Sequence, residues 1–129
     1  MIPFLATALV AAPAPATVAS MKWHRRVLLV AAPDGNSSAL VEQRRLLAGW
    51  LADADARDLV VVEVIGDRVT GATDTAAALR RRYGIAPAAF AVVLVGKDGG
   101  AKLHAAAPLT PATLAGTIDA MPMRRAGQR

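Results

Sequence analysis

The chain has 129 residues, which is the length of one domain, and it is 54% hydrophobic with a formal net charge of +5. It contains no cysteine, so disulfides, thiolate nucleophiles, cysteine-based zinc sites and iron–sulfur ligation are excluded. The histidines are His24 and His104 alone, which argues against a histidine-rich metal site. We therefore expect no metal and no cofactor.

The first twenty residues are the most polarised part of the sequence. They carry no charged side chain, and Phe4 to Ala12 form a short apolar run. Ala14-Pro15-Ala16 and Val18-Ala19-Ser20 each offer small residues for a cleavage site. The run is too short and too interrupted by proline to span a bilayer. We expect residues 1–20 to be a signal peptide of a secreted or periplasmic protein; the alternatives are a disordered leader and a start at Met21.

The first predicted strand is Val27 to Ala32 (VLLVAA), an apolar run that Pro33-Asp34-Gly35-Asn36 ends. A helix follows, and Ser37 or Ser38 caps it. The apolar stripe of this helix consists of Leu40, Leu47 and Leu51.

The second predicted strand is Leu59 to Ile65 (LVVVEVI), which is β-branched and apolar on both faces, as in a strand covered on two sides. Gly66 to Ala72 is predicted to be a loop. Thr73 or Asp74 caps the second helix, and Gly84 ends it in the left-handed region.

The third predicted strand is Phe90 to Val95, and Lys97-Asp98-Gly99-Gly100 follows it. An Asp-Gly pair between apolar runs indicates a tight hairpin, so Ala101 to Ala106 should pair antiparallel with this strand. Thr110-Pro111 is typical of the N-cap and first residue of a last helix, which Pro122 stops. The inward stripe of that helix consists of Leu114, Ile118 and Met121.

The predicted element order is β-α-β-α-β-β-α, which is the order of the thioredoxin core. Helical crossovers predict that the first three strands are parallel, and the hairpin adds an antiparallel fourth. The expected fold class is therefore α/β, with a mixed sheet and helices on both faces. We expect the domain over residues 22–125 and a basic tail over residues 126–129.

Segments spread over most of the predicted domain carry a resemblance to a known family. They are WHRRVLLVAAP (23–33), RDLVVVEV (57–64), LRRRYG (79–84), FAVVLVGKDGGAKL (90–103) and IDAMPMRR (118–125). On these segments the chain resembles the bacterial thioredoxin-like domain of unknown function that also recurs in vertebrate sushi-repeat extracellular matrix proteins. The resemblance implies a thioredoxin-like fold, a signal peptide and no established reaction, with a redox role only by analogy of fold. Family members often carry Arg where this chain has His104.

The exit of the first strand is where a thioredoxin has its redox cysteines. Here that segment reads Asp34-Gly35-Asn36-Ser37-Ser38, and serine hydroxyls do not exchange with disulfides. Pro87 is near the position of the thioredoxin cis-proline. An enzyme with a non-thiol site is the alternative here, because Gly35 to Ala39 superficially matches a nucleophile elbow. Its weak catalytic candidates are Asp34, Ser37 and His104, with Lys97 as a further possibility; the competing interpretation of Ser37 is a helix cap.

Gly66 to Thr73 has the glycine spacing of a phosphate loop. Ala72 stands in the place of the phosphate-binding lysine, so an ordinary glycine-rich connection is favoured over a nucleotide site.

Candidate binding residues come from the two ends of the predicted domain and from the hairpin. They are Trp23, Arg26, Lys97, Asp98, Met123 and Arg124. Met121 to Arg125 fits a partner-binding edge, with adaptable thioethers and arginines that pair with acids. The same string also fits a core methionine followed by arginines at a helix C-terminus, and Lys97-Asp98 also fits a plain turn.

Basic residues form three clusters, which are Lys22, Arg25 and Arg26; Arg80, Arg81 and Arg82; and Arg124, Arg125 and Arg129. Such clusters bind phosphate or anionic lipid when they form one surface, and otherwise they are solvated faces. We expect no nucleic acid, because a recognition helix and interleaved aromatics are missing. The sequence favours a noncatalytic binding or scaffolding domain of the bacterial cell envelope, with an unknown protein partner and no transmembrane helix.

Overall fold

The computed structural model of the protein describes residues 16–127. The strands are β1 Arg26–Ala32, β2 Leu59–Ile65, β3 Arg68–Thr70, β4 Ala91–Val95 and β5 Ala101–Ala105. The helices are α1 Ser38–Ala48, α2 Leu51–Ala56, α3 Ala76–Tyr83, α4 Pro111–Asp119 and α5 Pro122–Arg125, and a 3-10 helix Ala19–Met21 precedes β1. This is a mixed α/β fold, consistent with the thioredoxin-like class predicted from the sequence.

The five strands form one mixed sheet in the order β3-β2-β1-β4-β5. Strand β1 lies at the centre, parallel to β2 and antiparallel to β4, and every one of its residues is buried. Strand β5 pairs antiparallel with β4, which confirms the hairpin predicted around Asp98-Gly99.

The prediction of three parallel strands is wrong for β4, which runs antiparallel to β1. The cause is β3, in the segment predicted to be a loop, which pairs antiparallel with the end of β2. This extra reversal carries the chain back along β2 before α3 begins. As a result, the chain that leaves α3 enters β4 beside Ala31, near the end of β1. Strand β4 then runs toward the start of β1.

The turn between β2 and β3 consists of Gly66 and Asp67, because Ile65 and Arg68 are already paired. Gly66 has φ +60°, and the first central position of a tight type II′ hairpin requires glycine for this reason. Gly-Asp is itself a hairpin signal, but β3 has only three residues and so shows no strand pattern in the sequence.

Helices cover both faces of the sheet, as predicted. On one face α1, α2 and α4 pack over β1 and β4, through Leu28, Val30, Leu40, Leu47, Ala54, Leu94, Leu114 and Ile118. On the other face α3 and the 3-10 helix pack over the same strands, through Val18, Met21, Val27, Leu29, Ala76, Leu79, Val93 and Val95.

The first predicted helix is divided in two. Ser37 caps α1 as predicted, since its Oγ accepts a hydrogen bond from the Leu40 amide at 3.3 Å. Leu51 is 63% exposed, however, so its place in the apolar stripe is wrong. Gly49 ends α1 because glycine is a poor helix former, and the bend turns Trp50 into the core in place of Leu51.

Helix α3 begins one residue later than predicted. Thr75 caps it through the Ala78 amide at 3.1 Å, while Asp74 Oδ1 instead accepts from the Val18 amide at 2.8 Å. Gly84 ends it in the left-handed region, as predicted.

Helix α4 begins at Pro111 with Thr110 as its cap, which confirms the prediction for its start. Leu114 and Ile118 are fully buried and Met121 is half-buried against them. Pro122 opens the short helix α5 rather than only stopping α4.

Most of the expected leader lies outside the described residues, as does the end of the expected basic tail, residues 128–129. Residues 16–20 are described: Val18 is 4% exposed in the core, and the Thr73 amide donates to the Ala16 carbonyl at 3.0 Å. Within residues 16–127, no helix has the length and apolarity needed to cross a membrane.

Candidate functional site

The exit of β1 holds two of the three catalytic candidates, and both hold the backbone of their loop. Asp34 Oδ1 accepts from the Asn36 amide at 2.8 Å, and Ser37 Oγ accepts from the Leu40 amide. His104 faces the other side of the sheet, where its Nε2 lies 3.1 Å from the carbonyl oxygen of Tyr83 in α3. The structure therefore does not bring Asp34, Ser37 and His104 together.

Arg80 lies beside the ends of β1 and β2. Its guanidinium donates to the carbonyls of Ala32, at 3.0 Å, and Gly66. The segment with phosphate-loop spacing is the β2–β3 hairpin. The peptide bond before Pro87 is trans, unlike that of the thioredoxin cis-proline. Hydrogen bonds that hold the fold thus engage Arg80 at this end of the sheet, beside a cavity of about 550 Å³ that Asp67, Arg80, Arg81 and Pro87 help to line.

A cavity of about 250 Å³ lies at the opposite end of the sheet, beside the β4–β5 hairpin. We call it the hairpin cavity; it is lined by Trp23, Arg26, Gly96, Lys97, Asp98, Lys102, Met121, Pro122 and Met123. Five of the six candidate binding residues line it. The sixth, Arg124, lies outside the lining, where it contacts Asp119 at 3.2 Å and the Ala56 carbonyl at 3.1 Å.

Backbone geometry joins the segments that frame the hairpin cavity. The Trp23 amide donates to the Lys97 carbonyl at 2.6 Å, which ties the entry of β1 to the hairpin. Trp23 has φ +72° and leaves 57% of its residue surface exposed. A Cβ at Gly96 would lie 2.8 Å from Lys102 Cε, so the end of the lysine side chain would have to move to admit it. The stem of Lys102 thus packs against the backbone of the turn.

Arg26 is a fully buried cation at the wall of the hairpin cavity. It donates to the Arg57 carbonyl at 2.7 Å and, through Nε, to the sulfur of Met121 at 3.3 Å. Burial lowers the pKa of Arg26, and the nearby charge of Arg124 lowers it further. The negative charge of Asp58 acts in the other direction and raises the pKa of Arg26. The hydrogen bonds of Arg26 go to a carbonyl and to a thioether, which is a weak acceptor.

Lys97 is the second buried cation of the hairpin cavity, and it is paired. Its ammonium lies 2.8 Å from Asp58 Oδ2, with both side chains largely buried. Asp58 also lies 3.7 Å from Arg25. At the rim, Lys102 and Asp98 form an exposed pair at 2.8 Å, and the Lys102 hydrogen bond holds the pKa of Asp98 below its usual range.

The hairpin cavity combines an apolar wall with buried positive charge. Trp23, Pro122 and Met123 offer apolar contact, while Arg26, whose hydrogen bonds go to a carbonyl and a thioether, makes the wall favourable for a negative group. Sequence reasoning missed Lys102 and Gly96 as lining residues, whereas Met121 and Pro122 belong to the string that was interpreted as a partner-binding edge. The available signal for Lys102 was its position four residues after Asp98, on the other side of the predicted turn, where the opposite charges can pair.

Comparison with known proteins gives one family and no structural relative. No solved structure matches the chain. The model of the DUF4174 family, described as a domain of unknown function, matches residues 17–127. The matched segment includes every strand and every residue of the hairpin cavity. The chain therefore belongs to the DUF4174 family, a domain of unknown function.

Proposed function

We propose that this domain is a noncatalytic binding or scaffolding module of the bacterial cell envelope, and that the hairpin cavity receives its partner. The observation that carries the proposal is the convergence of Trp23, Arg26, Lys97, Asp98 and Met123 on one concave site. These residues come from three separate parts of the chain. Their common surface has the apolar and charged groups that recognition requires, without a paired nucleophile and base.

The partner proposed for the hairpin cavity is a protein segment with an apolar side chain next to an acidic one. Tryptophan and methionine make large contact areas, and thioethers adapt to different shapes. An acidic neighbour would meet the charge of Arg26, whose Nε–H is held in the free protein by the weak acceptor Met121. Charge complementarity therefore favours an acidic segment over a basic one.

The noncatalytic part of the proposal is supported by the positions of the alternative candidates. Ser37 and Asp34 satisfy backbone amides, and His104 lies on the other face of the sheet. Dithiol exchange is excluded because the chain has no cysteine.

The envelope location is supported by the charge-free, leader-like start of the sequence. Of the two cleavage sites weighed above, the one after Ala16 keeps Val18 in the core, whereas cleavage after Ser20 removes it. We expect the exported protein to begin at Thr17. Fractionation of cells expressing the full chain, followed by N-terminal sequencing, tests this; an unprocessed protein in the cytoplasm would contradict it.

The binding role is tested with a displayed library of random 12-residue peptides. We expect enriched peptides to share an apolar residue beside Asp or Glu. Met123→Glu should weaken their binding at least about tenfold, because it places negative charge beside the acidic residue. Trp23→Asn removes the indole and keeps a residue that tolerates the positive φ.

The matched control is Val41→Glu, the same kind of change at an exposed apolar residue of α1 that is outside the cavity lining. Glutamate is a good helix former, so this variant should fold. Its peptide binding should equal that of the parent. Enriched peptides that bind the Met123→Glu and parent proteins equally would refute the proposed site.

A further inference from the structure

A second cavity, also of about 250 Å³, lies on the other face of the same end of the sheet. We call it the basic cavity; it is lined by Val18, Ala19, Lys22, Arg25, Val27, Arg82, Val95, Gly96 and Gly99. Lys22 and Arg25 precede β1, whereas Arg82 belongs to the last turn of α3. Two of the three basic clusters in the sequence thus meet here, and the lining contains no acidic residue.

The positive charges of the basic cavity are incompletely neutralised. The Lys22 ammonium lies 5.5 Å from the ring centre of Trp23, and Arg82 lies 5.4 Å from that of Tyr83. In the described part of the chain neither cation has an ion pair with a carboxylate; the aromatic rings are their contacts. Arg25 approaches Asp58 at 3.7 Å, but Asp58 makes its closer contact, at 2.8 Å, with Lys97. Gathering like charges in this way is unfavourable unless an anion joins them.

The fold fixes where these cations stand. The stem of Lys22 lies against Gly99, with Cδ 3.5 Å from the position that a Cβ would take. The 3-10 helix that leads to Lys22 is anchored by buried Val18, whose amide is held by Asp74. Gly84, in the left-handed region, ends α3 just after Arg82. The site is therefore preorganised on packed elements, which lowers the cost of binding a ligand.

We propose that the basic cavity binds a phosphate group carried by a ligand, independently of the partner of the hairpin cavity. Guanidinium groups match the oxygens of a phosphate in paired hydrogen bonds, and an ammonium adds a point charge. A phosphate group fits within the cavity, and the surrounding Val18, Val27 and Val95 exclude water from one side. The phosphate belongs either to a lipid headgroup or to a soluble compound.

Titration of the full chain with inorganic phosphate, followed by two-dimensional amide NMR, tests the site. We expect saturable shifts at Lys22, Gly96, Gly99 and Arg82. Arg82→Gln and Lys22→Gln should each weaken binding about tenfold, which is the effect of one charge-assisted hydrogen bond. Both side chains are exposed, so the variants should keep the parent spectrum elsewhere.

Arg81→Gln is the matched control, because it removes the same charge at the residue before Arg82. Arg81 lines the cavity beside Arg80 and Pro87, not the basic cavity. It should change phosphate affinity less than twofold. Equal losses in the Arg81→Gln and Arg82→Gln proteins, or shifts that do not saturate, would overturn the proposal.

Sedimentation with vesicles separates the two sources of phosphate. A lipid headgroup would be identified if the protein binds phosphatidylglycerol vesicles but not phosphatidylcholine vesicles. This binding should be weakened by Arg82→Gln and not by Arg81→Gln. Saturable phosphate binding without vesicle binding would identify a soluble phosphate compound. Vesicle binding that both variants weaken equally, without saturable phosphate binding, would overturn the site.

Discussion

At the scale of single residues, Asp58 is the carboxylate that contacts two cations at the hairpin end of the sheet. It has φ +51°, an unusual value for a residue other than glycine, and its carboxylate meets buried Lys97 at 2.8 Å and Arg25 at 3.7 Å. Asp98, in the nearby turn, pairs with Lys102 at the same distance of 2.8 Å but in solvent. The two pairs therefore differ in burial rather than in geometry.

We predict that Asp58→Asn destabilises the protein by about 2 to 4 kcal/mol, because it removes the carboxylate charge that lies 2.8 Å from a buried ammonium. Asparagine tolerates the positive φ, so backbone strain does not contribute. Asp98→Asn should cost less than about 1 kcal/mol, since its pair is exposed. Urea unfolding of both variants measures the difference, and equal costs would show that Lys97 does not depend on Asp58.

The Tyr83 hydroxyl is a second residue-scale feature. It is buried and, within the described residues, has no hydrogen-bond partner. Burial raises the pKa of Tyr83, since the ionised form is disfavoured in the core. Because folding raises this pKa, the contribution of the neutral Tyr83 hydroxyl to folding stability is fully present below the unfolded pKa of about 10. It is lost as the pH rises through the pKa of the folded state.

We predict that Tyr83→Phe leaves stability at pH ~7 unchanged or raises it by up to about 1 kcal/mol, because it removes an unsatisfied hydroxyl. Above pH ~10 the variant should lose less stability than the parent. Chemical unfolding at the two pH values checks this. A clear loss of stability at neutral pH would mean that the hydroxyl has a partner, such as an ordered water.

At the scale of elements, local signals predicted the starts of α1 and α4 and the end of α3. The Ser37 and Thr110 caps, the left-handed Gly84 and the Asp98-Gly99 turn depend on neighbouring residues, so the sequence displays them. The direction of β4 depends on the small β3 reversal, and the burial of Trp50 over Leu51 depends on the bend at Gly49. Gly66 and Gly49 are visible in the sequence, but the direction of β4 and the choice of Trp50 over Leu51 depend on packing between distant segments.

The candidate site shows the same division. Sequence reasoning selected Trp23, Arg26, Lys97, Asp98 and Met123 one by one, from unusual composition and turn chemistry. Their meeting around one cavity requires the register of β1 with β4 and the return of α4 to the sheet, which no local pattern specifies.

The segment before β1 is an element-scale test of where the domain begins. Val18 is buried in the core, and Asp74 accepts its amide hydrogen at 2.8 Å. We predict that a chain starting at Met21 is less stable than one starting at Thr17 by about 2 to 3 kcal/mol. Thermal and urea unfolding of the two chains measure this. Equal stability would mean that the domain does not use Val18.

At the scale of the whole molecule, the proposed recognition sites lie at one end of the sheet. The exit of β1, where a thioredoxin carries its redox pair, is held by Arg80, Ser37 and Asp34 in contacts with the backbone. The opposite end has a cavity on each face, one apolar with buried cations and one basic, with exposed Trp23 between them. We propose that the fold is used from the end opposite to that of a thioredoxin.

The proposal that a partner binds at the hairpin cavity, and not at the exit of β1, can be tested by photo-crosslinking from two positions of the full chain in the cells that produce it. A photoreactive residue at position 123 reports on the hairpin cavity, and one at position 38 reports on the exit of β1. We predict a crosslinked partner from position 123 that is lost in the Trp23→Asn background, and none from position 38. A partner crosslinked from position 38 alone would show that binding takes place at the exit of β1 and not at the hairpin cavity.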